Sequence, residues 1–318
     1  MGGNLQFLIY RLFRTPGLGA ARLRSLLCKI DPDKAEKYGP EDIEILLLPA
    51  EREVFRQTQS SSILEWGRLQ ENRVHVIPFF SDSYPIRLRN SLGDKSPSLL
   101  FVMARSDLLS RPSIGFCGSR QASQKGIDAA EDCAEQLVEA EVNIVSGYAR
   151  GIDMHVHHKA LEKGGTTTIV LPEGILNFRV RADLESVWDW SRVAVVSEFS
   201  PTRPWSIGGA MQRNATMCAL ADAMILIEAR TTGGSIAAGK SCLRLGIPLF
   251  AAVYGDAPDE AGGNEQLLRE GARPLKKSRS TERAGLKGVF DVLRPTGPVP
   301  DAETNMADLF GRGAYASQ

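Results

Sequence analysis

Short apolar runs that stop at a glycine, each followed by apolar residues at helical spacing, set the pattern of this chain. Ile114 to Cys117 is such a run, and it ends at Gly118-Ser119-Arg120. From Lys125 the apolar positions Ile127, Ala130, Ala134, Leu137 and Val138 recur with the period of an amphipathic helix. Asn143 to Ser146 repeats the pattern and stops at Gly147. Asp153 then stands where a helix N-cap is wanted, and the second helix closes at Gly164-Gly165. Two strand–glycine–helix junctions in tandem predict parallel strands whose loops gather at one edge of a sheet, where such sheets bind ligands. Further strands are expected over Thr167 to Leu171, Val193 to Ser197, Ala223 to Glu228 and Pro248 to Val253. Helical stretches fall around Ala182 to Trp190, Gly208 to Leu220, Ser235 to Leu245 and Asn264 to Gly271. That alternation predicts an α/β fold, a Rossmann-like, doubly wound and mostly parallel sheet.

The flanks read differently. Leu5 to about Gln70 patterns as a small helical domain, and Arg73 to Phe80 with Ser98 to Met103 read as extra strands at the sheet edge. From Lys276 the basic residues Lys276, Lys277, Arg279, Arg283 and Lys287 outnumber nearby acids, and Pro295, Pro298 and Pro300 mark a flexible segment. The expected division is 1–72, helical; 73–275, Rossmann-like core; and 276–318, a basic and flexible tail.

Composition narrows the function classes. At 318 residues, 43% hydrophobic and 24% charged, the chain is an ordinary globular protein with ample length for a buried core. A formal net charge of +0 means that any nucleic-acid surface is a local patch. Cys28, Cys117, Cys133, Cys218 and Cys242 lack paired spacing, so they predict a reduced protein with no metal site. No apolar stretch reaches membrane-spanning length, and Asn4 and Gln6 interrupt any leader, which predicts a cytoplasmic protein.

Candidate chemistry centres on the two glycine loops. Arg120 and Arg150 put one guanidinium at each, beside helix N-termini with free N–H groups, a pairing suited to phosphate. No dinucleotide fingerprint is present, so no such cofactor is expected. Gly234 to Ser241 matches a P-loop, with Asp256 imitating its acidic partner. Yet Arg230-Thr231-Thr232-Gly233 separate the first glycine from its strand, so Gly233, Gly234 and Ser235 read as a phosphate-binding helix start, with Lys240 inside the helix. His155, His157 and His158 cluster on one helix, but only His155 and His158 share a face and nothing nominates a third ligand, which favours a structural polar network. Near the N-terminus, Arg14 to Leu23 looks like a helix–hairpin–helix turn. There Gly17 and Gly19 would offer N–H groups, and Arg14, Arg22 and Arg24 charge, as a second DNA contact.

Gly118-Ser119-Arg120, Ser146 to Asp153 and Ala160 to Gly165 resemble the signature of the DprA/Smf family. The likeness runs on through Ser197-Glu198-Phe199, Gln212-Arg213-Asn214, Glu228, Gly234-Ser235 and Gly263-Asn264, from about Phe79 to Arg273. The resemblance implies a non-enzymatic single-stranded DNA-binding protein, a homodimer or small oligomer, that loads a RecA-type recombinase. It carries DNA contact onto Gly118, Ser119, Arg120, Gly147, Arg150, Arg213 and Asn214. Arg179 and Arg181 fall where the family has a basic residue beside a Tyr-Pro segment that is replaced here by Asn177-Phe178, and Phe178 is expected to be buried. Ala215 replaces an arginine and Tyr254 a proline of the family pattern, departures that suit a divergent branch serving phage defence or a mobile element. The 276–318 segment is too short for the winged-helix domain of many members. Met306 to Phe310 resembles a sliding-clamp motif with Met306 in place of glutamine. Two rival readings stand beside this one: a sensor holding a nucleotide or phosphorylated ligand in the same cleft, and a P-loop-like ATPase.

Overall fold

The computed structural model describes residues 3–31, 38–254, 261–278 and 281–293. Asp256, Arg279, the three tail prolines and Met306 to Phe310 lie outside them. Nine strands form one sheet: β1 (Val74–Pro78), β2 (Leu99–Ala104), β3 (Ser113–Cys117), β4 (Asn143–Ser146), β5 (Thr167–Val170), β6 (Val193–Ser197), β7 (Ala223–Leu226), β8 (Leu249–Ala252) and β9 (Arg273–Leu275). Their spatial order is β1-β2-β6-β5-β4-β3-β7-β8-β9. β1 pairs antiparallel with β2, β2 pairs antiparallel with β6, and the other six pairs are parallel. The expected Rossmann-like sheet and its two edge strands are both present.

The strand order reverses at β3, which lies between β4 and β7. A crevice opens at such a reversal because the connections on either side leave in opposite directions, and that crevice is the usual ligand site. Helices cover both faces. One layer carries α6 (Ile86–Leu92), α10 (Ile207–Ala219), α11 (Gly234–Arg244) and α12 (Gly262–Arg269), and it packs on Val145, Val170, Met224 and Leu226. The other face carries α7 (Gln124–Glu139) and α8 (Ile152–Glu162) over Ile114, Phe116, Ile144 and Ile225. Because both faces are covered by helices, the strands read as continuous apolar runs and not as alternation.

Toward the β1 edge that same face is covered by α1 (Gly3–Arg14), α2 (Ala20–Leu27), α3 (Pro40–Ile45), α4 (Pro49–Gln57), α5 (Gln59–Glu71) and the short α9 (Ala182–Glu185). Their apolar side chains share one cluster with Val193 and Val195 of β6, so the N-terminal helices are joined to the sheet through a common core.

Three local expectations are corrected. Asp153 is not the N-cap of α8; Gly151 is, with φ +77, and Asp153 lies one residue past the helix start at Ile152. A Cβ on Gly151 would sit 2.2 Å from the Ser119 carbonyl oxygen, so only glycine lets the two switch loops touch. The helix expected over Ala182 to Trp190 ends at Glu185, and a single 3-10 turn follows at Trp190–Arg192. The flexible tail does not begin at Lys276. Arg283 pairs with Asp132 at 2.7 Å, Lys277 bridges Ala284, and Leu286 and Val289 are buried ahead of and within α13 (Lys287–Leu293). β9 was missed because Arg273-Pro274-Leu275 has a single buried side chain, too little alternation to register as a strand. No helix of the described residues is long and apolar enough to cross a membrane.

Candidate nucleic-acid interface

Loops after β3, β4, β5, β6 and β7 converge on a cleft of about 720 Å³ at the point where the strand order reverses. Hydrogen bonds between these loops fix its floor. Ser235 Oγ donates to the Gly118 carbonyl at 2.6 Å, Ile152 N–H to the Ser119 carbonyl at 3.2 Å, and Asn214 Nδ2 to the Gly234 carbonyl at 3.3 Å. Gly118 is obligatory here, since a Cβ would lie 2.5 Å from the Ile152 side chain. Behind the first loop, Ser123 caps α7 by accepting from Gly126 N–H. It also gives its own N–H and hydroxyl to the buried Glu228 carboxylate at 2.8 and 2.5 Å.

The charge of the cleft is positive. Among the described residues Arg120, Arg150, Arg181, Arg213 and Arg230 line it against two carboxylates, Asp153 and Glu173. Arg120 and Arg150 are exposed, and no hydrogen bond or ion pair occupies either guanidinium among the described residues. Arg181 lies over the Tyr148 ring at 4.6 Å, while the Tyr148 hydroxyl accepts from Arg181 N–H and donates to the Arg179 carbonyl. The N-terminus of α11 opens toward the cleft without a side-chain cap, which leaves its first N–H groups available to an anion, whereas the first N–H of α8, that of Ile152, is already given to the Ser119 carbonyl.

Arg213 and Asp153 lie beneath this surface, each 7% exposed. Both press on Gly147. A Cβ there would begin 1.9 Å from Arg213 Nη1 and 2.5 Å from Asp153 Oδ2, so the second loop's glycine makes room for two buried groups of opposite charge. Burial pushes the Asp153 carboxyl up, partly offset by Arg213 and by the Ala149 N–H it accepts, and burial pushes the Arg213 guanidinium down. Arg213 Nε has no hydrogen-bond partner.

His157 completes the support. Its Nε2 lies 2.7 Å from the Gly147 carbonyl, which can only accept, so Nε2 carries the proton and Nδ1 accepts from Thr167 Oγ1 at 2.6 Å. His155 instead reaches Glu131 at 2.9 Å on the surface. Among the described residues no group of three or more His, Cys, Asp or Glu is arranged to hold a metal.

The sequence-predicted residues thus divide. Gly118, Ser119, Arg120, Arg150, Arg181, Arg213, Asn214, Gly234 and Ser235 meet at the cleft. Arg179 is exposed but turns back onto the Leu176 and Phe178 carbonyls. Phe178 is buried against Tyr148, Trp188 and Trp190, as expected. Gly233, at φ +111, turns the chain into α11, whereas Lys240 lies in the body of that helix, 3.8 Å from Glu270 and outside the cleft. The hairpin arginines are committed internally: Arg14 to Glu65 at 2.7 Å and to Ser200, Arg22 to both oxygens of Glu51, and Arg24 to the Gly93 and Ser96 carbonyls. Gly17 and Gly19 are exposed at the turn between α1 and α2, but they stand without a free arginine beside them. Sequence reasoning missed Arg230, although its position just after β7 matches that of Arg120 after β3. It also missed Trp205 and Met211 on the cleft wall, for which no spacing gave a signal.

Comparison with known proteins identifies the family and the fold. The profile of the DNA recombination-mediator protein A family matches residues 75–283. DNA processing protein DprA of Streptococcus pneumoniae is 32% identical over 62% of this chain and 70% of its own length. An X-ray structure of that organism's DprA superposes with a TM-score of 0.69 at 26% identity, covering 85% of this chain and 94% of that one. DNA processing protein A of Helicobacter pylori, in a structure describing its single-stranded DNA binding mode, shares the fold. Its TM-score is 0.54 at 22% identity, over 63% of this chain and 90% of that one. The chain belongs to the DNA recombination-mediator protein A family.

Proposed function

We propose that the cleft binds single-stranded DNA and that the protein acts as a binding protein and not as an enzyme. The observation that carries this reading is the set of five arginines around one crevice at the strand-order reversal, two of them exposed and without an ion pair among the described residues. A phosphodiester strand supplies the anions that such a site lacks. The single-stranded DNA binding mode of the Helicobacter pylori relative supports the same assignment. In this reading Arg120, Arg150 and Arg181 contact phosphates, Gly233 to Ser235 present the N-terminus of α11 to another, and Arg213 with Asn214 hold the floor in place. The site then belongs wholly to residues 73–275. Handover of DNA to a RecA-type recombinase, assembly as a homodimer and a place in the cytoplasm are parts of the same proposal, supported by the family. Nucleotide hydrolysis at Gly234 to Ser241 is disfavoured because Lys240 points away from the cleft toward Glu270.

Fluorescence anisotropy of a labelled oligo-dT strand tests it. Arg120→Ala is expected to weaken binding and to lower the magnitude of the slope of log affinity against log salt by about 0.7, the mark of one lost phosphate contact on a single strand. Wild-type binding left unchanged by Arg120→Ala would remove the cleft as the DNA site.

A further inference from the structure

We infer that Trp205 is a base-stacking platform, so that the cleft grips a nucleobase as well as phosphates. This inference rests on the single-stranded DNA reading above. Trp205 forms part of the cleft wall and is 49% exposed, with Met211, 48% exposed, beside it on the same wall. An indole left half in water beside a positive groove has a large apolar face to cover, and a nucleobase is the flat apolar partner that a phosphodiester strand brings with it.

The other aromatic rings nearby are already used. Tyr148 has Arg181 over its ring at 4.6 Å and Phe178 at 5.3 Å, with its hydroxyl bonded on both sides. Trp188 and Trp190 pack edge-on against each other at 5.0 Å and both touch Phe178. Trp205 has no ring or cation contact among the described residues.

The backbone that carries Trp205 is held still, as a stacking residue needs. The Arg203 carbonyl accepts from Gly174 N–H at 2.8 Å and from Asn177 Nδ2 at 2.7 Å, and Arg203 N–H donates to the Ser200 carbonyl. Gly174 permits this approach, since a Cβ there would lie 2.2 Å from the Pro201 carbonyl oxygen. On the other side Ser206 caps α10 through Gly209 N–H at 3.0 Å. Holding the ring before the strand arrives removes an ordering cost from binding.

The test compares Trp205→Ala and Trp205→Phe with wild type, against oligo-dT and against an abasic deoxyribose-phosphate strand of equal length. Trp205→Ala should bind oligo-dT roughly 5- to 100-fold more weakly, the range for one lost base–aromatic stack, with an unchanged salt slope. Trp205→Phe should stay within a few-fold of wild type, and the abasic strand should bind wild type and Trp205→Ala alike. If wild type binds oligo-dT and Trp205→Ala binds it equally well, the platform is refuted while the phosphate-binding cleft stands. Failure of wild type to bind either strand at low salt would overturn both.

Discussion

Replacing Arg213 by alanine is expected to destabilise the protein by about 2–5 kcal/mol, because it empties the space packed against Gly147 and removes the charge that partly offsets the burial of Asp153. Asp153 would keep a carboxylate 7% exposed in a site where burial already pushes its pKa up, and the loop carrying Gly147 would lose the group packed against it. The double variant Arg213→Met, Asp153→Asn should recover much of the loss, because it removes both charges and keeps most of the volume. Urea unfolding of the single and double variants checks this. The expected pattern also separates support from contact. A folded double variant that still binds oligo-dT within a few-fold of wild type would mark Arg213 as a positioning residue. A folded double variant with tightly bound DNA lost would make its guanidinium a direct contact.

The second large effect is in pH. Desolvation in the core pushes the His157 imidazole down to about 4 from an unfolded value near 6.5, while its bond to the Gly147 carbonyl works the other way. A depressed folded pKa means that the unfolded chain takes up a proton more readily. The stability linked to this group is therefore fully present above pH 6.5 and is lost as pH falls toward 4, by about 3 kcal/mol in total. Asp153, Glu173 and Glu198 have carboxyls raised by burial, and those groups oppose the trend on acidification. The His157 part is isolated as a difference: urea unfolding of wild type and His157→Gln at pH 7 and pH 4 should show wild type losing about 3 kcal/mol more than the variant. Equal losses would mean that His157 is not buried in its neutral form. Because the imidazole ties α8 to the Gly147 carbonyl, the second cleft loop is expected to loosen over the same pH range.

How much of this was legible in the sequence follows from how far each signal reaches along the chain. Apolar runs reported the parallel strands, since a strand buried on both faces shows itself locally. The glycines that end β3 and β4 marked Arg120 and Arg150, because a switch loop adjoins its own strand. Pairings between distant segments left no local trace. Arg14 resembles a DNA-facing arginine of a hairpin until Glu65 and Ser200 are folded against it. Arg213 reads as a motif arginine, and only the fold buries it next to Asp153. Trp205 lies in a stretch, Pro201 to Ser206, with neither helical nor strand periodicity, and only the Arg203 and Gly174 contacts show that it is held in the cleft wall. Residues 281–293 look like part of a basic tail in the sequence, yet Leu286 and Val289, with Ala284, Phe290, Val292 and Leu293 around them, seat the segment on the sheet's α7 side.

The most direct test is ultraviolet cross-linking of a thymidine strand to the full chain, followed by peptide mapping. Binding in the cleft predicts cross-linked peptides that contain residues 118–121, 148–150, 205–211 or 230–235, all competed away by unlabelled oligo-dT. Cross-links confined to residues 14–24, with none in those four segments, would contradict the cleft as the DNA site and return the hairpin between α1 and α2 to first place.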